Sequence, residues 1–463
     1  MKRIMDGNEA CSYVSYNFTE VAGIYPITPA SPMAELTDKW SNEGKKNYFD
    51  TPVRVVEMQS EAGAAGMVHG SLLSGCLTTT YTASQGLLLM LPNMYKIAGE
   101  GLPTVFYVSA RSVATHALNI FCDYSDIYAC LKTGLNIVNC SSVQEVNDMA
   151  IACELASAKS NIPYICFFDG FRTSHELSTI YQTELNDLIK IVNPIYFAEF
   201  RNRAMNNHSP FVAGTNQNPD VFMQNRVAAL ARYSNALEDF KWALKKQEEI
   251  TKRSYDTIEF YGDENAKDVV VAMGSCADVL RLSEKQYKDK IGIVKVRTLK
   301  PFDEKNFINK LPKGIKNITI LERNLDTNGT DCLTSMVLSA MAKNGISAKV
   351  YSGCYGLGGK EFTPNMAIAV FENMKKSKKE FFTVGITDDV TNTSLGIEEK
   401  FKDNIADFAM RVYGLGSDGS VSSVKNTIKN SNEFSVPTVC IPFNIGIFCE
   451  LSIACLIVSS PLK

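Results

Sequence analysis

The sequence predicts an α/β protein made of two doubly wound, mostly parallel sheets and a fragmentary C-terminal segment. Short β-rich runs alternate with helical patterns between residues 21 and 170, and the alternation restarts at residue 268. Polar, Asn-rich segments separate these two stretches, and after about residue 430 the apolar pattern is neither helical nor alternating. We therefore expect domains at 1–255, 256–411 and 412–463.

Six β-rich runs predict the strands of the first sheet. They are VAGIYPI (21–27), VRVVEM (53–58), CLTTTYTAS (76–84), TVFYVSA (104–110), NIVNC (136–140) and YICFFDG (164–170). Helical patterns lie between them at 61–73, 86–99 and 142–158, and Ser142 followed by Glu145 predicts a capping box. Such alternation favours a parallel sheet, because crossover helices cover both of its faces.

The region 171–255 predicts a loop-rich excursion, followed by a connecting helix around the amphipathic stretch 226–250. Five further β-rich runs then predict a second sheet. They are DVVVAMGS (268–275), GIVKVRTLKPF (292–302), ITILERN (318–324), AKVYSGCYG (348–356) and EFFTVGI (380–386). This second stretch has the length of a typical domain.

Composition excludes several classes of protein. The chain of 463 residues is 45% apolar and 21% charged, as in soluble globular proteins, and its net charge of −3 gives no reason to expect a nucleic-acid partner. Its thirteen cysteines form no C-x-x-C pair, which excludes the usual local iron–sulfur and zinc signatures. Most of them are expected to be small core residues in a reducing, cytoplasmic compartment.

Neither end of the chain predicts a targeting segment. The N-terminus is basic but lacks the apolar region of a secretory signal, and the first 430 residues hold no uninterrupted membrane span. Residues 431–463 are mostly apolar, but prolines and Glu450 interrupt them, so a membrane tail is the less favoured interpretation. We expect a truncated or frame-shifted end there and no membrane partner.

Three residues at the ends of predicted first-sheet strands are candidates for a ligand site. Thr28 lies between two prolines in YPITPASP, Glu61 opens an Ala/Gly-rich helix, and Arg111 follows the fourth strand. Ligands of open α/β sheets bind at the carboxyl ends of the strands. Thr28, in its stiff loop, is suited to hydrogen bonding. A buried Glu61 is suited to proton donation, and Arg111 is suited to binding a carboxylate or phosphate.

Each candidate also has an ordinary structural reading. Thr28 fits a Pro-rich turn, Glu61 fits a helix-dipole partner, and Arg111 fits a structural ion pair. His69 and His116 are read as structural histidines, because neither has an evident catalytic partner in the sequence. GLGSDG (414–419) lacks the acidic residue of a dinucleotide site, and DTNGTD (326–331) lacks the bidentate Glu of a calcium loop.

Nine stretches together resemble the pyruvate:ferredoxin (flavodoxin) oxidoreductase family. They are IYPITPASPM, EMQSEAGAAGMVHG, TTTYTASQGLLLMLPNMYKIAGE, DIYAC, FFDGFRTSHE, GTNQNPD, KVRTLKPF, YGLGGKEFTPNM and FTVGITDDVT, in family order through most of the chain. The resemblance implies a thiamine pyrimidine-binding domain followed by a transketolase C-terminal-like domain. It also implies oxidative decarboxylation of pyruvate with CoA to acetyl-CoA and CO₂, with electrons passing through [4Fe–4S] clusters to ferredoxin or flavodoxin.

The resemblance also assigns roles to the three candidates. Glu61 is implied to hydrogen-bond the aminopyrimidine ring of thiamine diphosphate and so to favour the tautomer that activates the cofactor. Arg111 is implied to pair with the carboxylate of pyruvate. Thr28 is implied to lie beside cofactor and substrate and to hydrogen-bond that carboxylate. The Ala/Gly face of the helix that Glu61 opens would pack against a second subunit, as in a homodimer of the complete enzyme.

Other family features are missing from this sequence. The family holds the diphosphate and Mg²⁺ through a Gly-Asp-Gly motif in a later domain, whereas the nearest match here is GSDGS, with Ser417 in place of the first Gly. The cysteine motifs for the clusters are also missing, so no cluster is expected in this chain. We expect the first third of a fused enzyme. The alternatives are an α-type subunit of a multi-subunit 2-oxoacid:ferredoxin oxidoreductase and a non-catalytic truncated remnant.

Overall fold

The computed structural model describes residues 1–208, 210, 212–376, 378–402 and 423–427, together with the backbone of strands at 408–415, 443–445 and 451–458. The predicted third-domain start and apolar tail, 412–463, therefore lie mostly outside the described residues. This includes four of the six residues of the GLGSDG stretch, since 416–419 are not described.

The described part of the chain contains nineteen strands, most of which belong to two large sheets of seven strands each. In chain order, the strands of the described part are β1 (Lys2–Met5), β2 (Val21–Ile24), β3 (Arg54–Glu57), β4 (Thr78–Thr82), β5 (Val105–Ala110), β6 (Asn136–Cys140), β7 (Tyr164–Asp169), β8 (Ser178–Tyr181), β9 (Ile258–Gly262), β10 (Asp268–Ala272), β11 (Ile291–Val296), β12 (Thr298–Lys300), β13 (Asn317–Glu322), β14 (Lys349–Tyr355), β15 (Phe381–Val384), β16 (Ser394–Leu395), β17 (Phe408–Leu415), β18 (Phe443–Ile445) and β19 (Leu451–Val458). The first sheet has the order β3-β2-β4-β5-β7-β6-β12, and all its pairs are parallel except β6 with β12.

Helices cover these strands. The described helices are α1 (Gly7–Phe18), α2 (Ser31–Asn42), α3 (Glu61–Leu73), α4 (Ser84–Leu89), α5 (Leu91–Glu100), α6 (Ser125–Ala129), α7 (Val143–Ser160), α8 (Arg172–His175), α9 (Leu185–Ile191), α10 (Pro194–Asn202), α11 (Pro219–Ala228), α12 (Leu230–Tyr233), α13 (Ala236–Thr251), α14 (Ser275–Glu284), α15 (Glu304–Lys310), α16 (Cys332–Lys343) and α17 (Pro364–Lys376), with a 3₁₀ turn at Leu357–Gly359. None of the helices in the described ranges has the length and apolar character needed to span a bilayer.

The second sheet also has seven strands, in the order β16-β15-β14-β13-β10-β11-β9. Its pairs are parallel except β9 with β11. Two mostly parallel sheets confirm the predicted fold class. The sequence pattern did not predict β9, nor that the run 292–302 divides into β11 and β12, of which β12 belongs to the first sheet.

Two local predictions need correction. The predicted helix 86–99 is two helices, α4 and α5, because Pro92 at the start of α5 has no N–H to continue the hydrogen-bond ladder. The capping box at Ser142 is only half formed. Ser142 accepts the N–H of Glu145, but the Glu145 carboxylate accepts the N–H of Ser141 and binds cations of the second sheet instead.

The two sheets share one hydrophobic core. Val138 and Phe167 of the first sheet belong to the same buried cluster as Val294 and Ile318 of the second. The described cysteines are free thiols and most are buried, as predicted for small core residues. Because apolar contacts run from one sheet to the other, the ends of the first sheet are held rigidly against the second.

Candidate functional site

The structure brings Thr28 and Arg111 into direct contact. Strand β2 leads into the loop that carries Thr28, and Arg111 directly follows β5. The Nη1 of Arg111 donates to the carbonyl of Thr28 at 2.8 Å, and its Nε donates to the carbonyl of Asn119 at 3.3 Å. Arg111 is buried, and burial lowers the pKa of its guanidinium, an effect that nearby Asp126 opposes. No ion pair holds Arg111 within the described residues.

Asp126 holds the turns at the ends of two neighbouring strands. One of its oxygens, Oδ2, accepts the N–H of Ser84 after β4 at 2.9 Å and the N–H of Arg111 after β5 at 3.0 Å. Ser84 has a φ of 51°, an unusual value for a residue with a side chain. Burial raises the pKa of Asp126 to about 7, although the backbone hydrogen bonds oppose the rise.

Glu61 is buried beside the start of α4. It is the first residue of α3, and Ser60 caps the helix by accepting the N–H of Gly63 at 3.1 Å. A Cβ on Gly86 would lie 2.6 Å from Oε1 of Glu61 and 2.9 Å from Oγ1 of Thr82. Gly86 therefore leaves room that any side chain would fill.

Two polar groups here have unused hydrogen-bonding capacity. Glu61 as a whole residue is 7% exposed, and its carboxylate makes no hydrogen bond or ion pair with the described part of the chain. The buried hydroxyl of Thr82 also lacks a partner there. Buried polar groups are nearly always hydrogen-bonded, so an unpartnered carboxylate and hydroxyl indicate a place for a polar ligand.

The three predicted residues thus follow strands β2, β3 and β5 at one edge of the first sheet, with β4 between β2 and β5. Thr28 and Arg111 touch, whereas Glu61 contacts the α4 side of the site and touches neither of them. The link is indirect, since Ser84 begins α4 and shares Asp126 with Arg111. Sequence reasoning did not single out Asp126. The sequence feature that could have identified Asp126 is the family-like stretch DIYAC, which begins with this residue.

The two histidines predicted to be structural differ in their surroundings. His69 Nε2 lies 2.6 Å from Oε2 of Glu100, whereas His116 is exposed and its structural role stays a prediction. In DTNGTD, Asp331 accepts the N–H of Asp326 at 3.2 Å, as in a turn. No group of three His, Cys, Asp or Glu side chains suited to a metal ion occurs within the described ranges.

Sequence models of known families match both sheets. The model for pyruvate flavodoxin/ferredoxin oxidoreductase, thiamine diphosphate-binding, matches residues 13–241, and that for pyruvate:ferredoxin oxidoreductase core domain II matches residues 266–367. The chain belongs to the pyruvate:ferredoxin/flavodoxin oxidoreductase family. Six of the seven strands of its first sheet therefore lie in the family's thiamine diphosphate-binding domain, whereas β12 and most of the second sheet lie in core domain II.

Relatives within this family are similar over most of the chain. The pyruvate:ferredoxin oxidoreductase of Moorella thermoacetica is 46% identical over 436 residues, which are 92% of this chain and 37% of that protein. The pyruvate-flavodoxin oxidoreductase of Enterobacter agglomerans is 44% identical over 434 residues, with the same coverage. The pyruvate dehydrogenase [NADP(+)] of Cryptosporidium parvum is 42% identical over 441 residues and is covered to 23%. The chain spans about a third of the length of most of these oxidoreductases.

One solved structure has the same fold. It is the 2-oxoglutarate:ferredoxin oxidoreductase from Magnetococcus marinus, with 2-oxoglutarate, coenzyme A and succinyl-CoA bound. The TM-score is 0.58 at 18% identity, and the match covers 81% of this chain and 65% of that chain. At this identity the likeness concerns the architecture of the oxidoreductase alone.

Proposed function

We propose that this chain supplies the pyrimidine and substrate half of the thiamine diphosphate site in a pyruvate:ferredoxin/flavodoxin oxidoreductase. The reaction is the oxidative decarboxylation of pyruvate with CoA to acetyl-CoA and CO₂, with electrons passed through [4Fe–4S] clusters to ferredoxin or flavodoxin. The observation that supports this most strongly is the buried, unpartnered Glu61 carboxylate at the strand ends of a thiamine diphosphate-binding domain.

The residues around Glu61 fit the aminopyrimidine of the cofactor. The carboxyl of Glu61 would hold a proton at a ring nitrogen, and the Thr82 hydroxyl offers a second polar contact. The missing Cβ of Gly86 leaves the space between them open. When bound, thiamine diphosphate supplies the carbanion chemistry, and the protein orients it. We assign no described residue to the diphosphate or to Mg²⁺.

Arg111 and Thr28 are proposed to bind pyruvate. A guanidinium carries five N–H donors, and only two of those of Arg111 are used by carbonyls of the described chain. The remaining donors can grip a carboxylate, and the buried setting strengthens that charge pairing. The exposed Thr28, whose carbonyl is held by Arg111, would add its hydroxyl to the same carboxylate.

The complete enzyme is proposed to be a cytoplasmic homodimer. Small residues on α3 support the dimer, because positions for a Cβ on Gly66 and Gly70 have no neighbour within 4 Å in this chain. Another backbone could approach this face of the helix closely.

A chimera tests the proposed function. Residues 1–411 would replace the matching segment of the Moorella thermoacetica enzyme, and CoA-dependent reduction of ferredoxin by pyruvate would be measured. We expect activity with pyruvate that depends on added thiamine diphosphate. A folded chimera with bound cofactor but without pyruvate decarboxylation would contradict the proposal.

Replacing Arg111 by Ala in that chimera should raise the KM for pyruvate by at least about tenfold, because charge-assisted hydrogen bonds to the carboxylate are lost. Lys should restore only part of the affinity, since a point charge cannot make the paired contacts of a guanidinium. Arg54→Ala is the control, because Arg54 is exposed at the opposite end of an edge strand. An unchanged KM in Arg111→Ala would show that another group binds the carboxylate.

A further inference from the structure

A cleft lies between the two sheets and away from Glu61. It is a small cleft that is open to solvent, and its lining includes Phe171 and Arg172 after β7, Ser275 at the start of α14, and Lys360 after the 3₁₀ turn. Lys360 belongs to the stretch YGLGGKEFTPNM, for which the proposed reaction has no use. Glycines in that stretch bring the second sheet close to the loop before α6.

The close approach depends on two glycines. Gly358 and Gly359 have φ values of 57° and 78°, and a Cβ on them would lie 2.3 Å from Nδ2 of Asn119 and 2.4 Å from Cβ of Phe121. The side chain of Asn119 donates to the carbonyl of Gly358 at 3.2 Å. This side of the cleft is therefore held by close contacts between the 3₁₀ turn and the loop before α6.

The lining of the cleft holds more basic than acidic side chains. Arg172 and Lys360 form no hydrogen bond or ion pair through their side chains within the described part of the chain. Arg323 is also in the lining, but its Nη1 is paired with Oδ2 of Asp169 at 2.8 Å. Glu361 is the acidic residue of the lining and is exposed. Burial raises the pKa of Asp169, but Arg323 and, to a lesser extent, Arg172 lower it, so Arg172 shares this carboxylate with Arg323, whereas Lys360 is exposed.

The start of α14 adds to this positive field. Gly274 precedes the helix without a capping side chain, and Ser275, the first helical residue, lines the cleft. The hydroxyl of Ser275 donates to Asp169, so it leaves the N-terminal end of the helix uncapped. Helix N-termini favour anions, phosphate groups in particular.

One wall of the cleft is aromatic and strained. Phe171 has a φ of 59° and a ψ of −42°, which is unusual for a bulky residue, and its N–H donates to Oγ of Ser174 at 2.7 Å. Its ring centroid lies 4.8 Å from that of Phe121. Backbone strain of this kind clusters at functional sites, and here it presents the ring of Phe171 and the adjacent Arg172 to the cleft.

We propose that this cleft binds a phosphate monoester of a flat organic ring, with the phosphate between Arg172, Lys360 and the start of α14, and the ring against Phe121 and Phe171. Guanidinium and ammonium groups bind phosphate through charge-assisted hydrogen bonds, and half-buried phenyl rings favour an aromatic or other flat partner. The cleft adjoins the proposed pyruvate site, since Gly170 in its lining donates its N–H to the carbonyl of Ala110 at 3.1 Å. Binding to the chain alone is measured without thiamine diphosphate or pyruvate, so a failure of this assignment is distinguishable from a failure of the proposed function.

Calorimetry on the whole 463-residue chain tests the proposal, with phenyl phosphate, inorganic phosphate and phenol as probes. We expect saturable binding of phenyl phosphate, weaker binding of inorganic phosphate, and no binding of phenol. Arg172→Ala should weaken phenyl phosphate binding by at least about tenfold, since it removes charge-assisted hydrogen bonds. Phe121→Ala should weaken the binding of phenyl phosphate more than that of inorganic phosphate.

Arg54→Ala is the matched control, because this exposed arginine lies on the opposite edge of the first sheet. It should bind phenyl phosphate as the unmodified chain does. Absence of saturable binding, or equal binding by Arg172→Ala and the unmodified chain, would overturn the assignment. Equal affinity for phenyl phosphate and inorganic phosphate would overturn the role of the aromatic wall.

Discussion

Replacing Glu61 by Gln is expected to lower turnover with pyruvate by about two to four orders of magnitude, the usual contribution of a positioned acid or base. An amide fills the same volume but cannot hold and release a proton at neutral pH. Because the Glu61 carboxylate forms no hydrogen bond within the described chain, the substitution breaks no contact that stabilises the fold. The measurement is pre-steady-state release of CO₂ from pyruvate by the chimera with the Moorella thermoacetica enzyme.

Glu57→Gln is the control for this prediction. Glu57 is also a glutamate at the end of β3, but it is exposed. We expect this variant to keep its activity, and both variants to unfold at the same urea concentration as the parent chimera. Normal turnover by Glu61→Gln would contradict the proposed role of this residue. Unfolding of that variant would show that Glu61 also stabilises the fold.

Glu145→Ala is expected to reduce the free energy of unfolding by about 3–5 kcal/mol, the cost of breaking a buried ion pair by removing one partner. Lys295 donates to Oε1 of Glu145 at 2.6 Å, and Arg297 donates to the same oxygen at 2.9 Å. Both cations are buried, and within the described residues each keeps a single carboxylate partner after the substitution, Asp278 for Lys295 at 3.5 Å and Glu259 for Arg297 at 2.8 Å. Urea unfolding of the 463-residue chain at neutral pH measures the loss.

The same carboxylate should make stability depend on pH. Burial alone would raise the pKa of Glu145, but Arg297 and Lys295 outweigh it and lower the pKa to about 2, from 4.5 in an unperturbed glutamate. A lowered folded-state pKa means that the stabilisation is complete above about pH 4.5 and is lost as the pH falls towards about 2. The unmodified chain should therefore lose more stability across this window than Glu145→Ala.

Glu380→Ala is the surface control, because Glu380 is exposed and pairs with Lys349 at 3.3 Å. Exposed ion pairs contribute at most about 1 kcal/mol, so this variant should unfold almost as the parent does. A loss below about 1 kcal/mol in Glu145→Ala would contradict the account, since it would place Lys295 and Arg297 in contact with water or other anions.

The sequence allowed most of the strands and the strand-end residues to be predicted, because buried parallel strands appear as continuous apolar runs. Helix α3 begins and ends where the pattern 61–73 predicted. Helix α1 was missed because Asn8, Ser12 and Ser15 are buried polar residues, which hide its amphipathic pattern. Their side chains bond within the fold, as when Asn8 donates to the carbonyl of Pro29 at 2.9 Å.

Contacts between distant parts of the chain could not be predicted in this way. Asp126 is one of many carboxylates in the sequence, and only folding places it between Ser84 and Arg111. Strand β12 is too short to be assigned to a sheet from its own residues, and its partner β6 is more than 150 residues away. The roles of Thr28, Glu61 and Arg111 remain predictions drawn from the family resemblance and from geometry.

The position of β12 limits how genes of this family can recombine. A crossover in the linker before β9 would pair one parent's β6 and Glu145 with the other parent's β12, Lys295 and Arg297. The recombinant protein would fold well only if the β6–β12 pairing and the ion pairs of Glu145 were compatible between the two parents. Crossover points that preserve this pairing therefore lie outside the interval from β6 to β12.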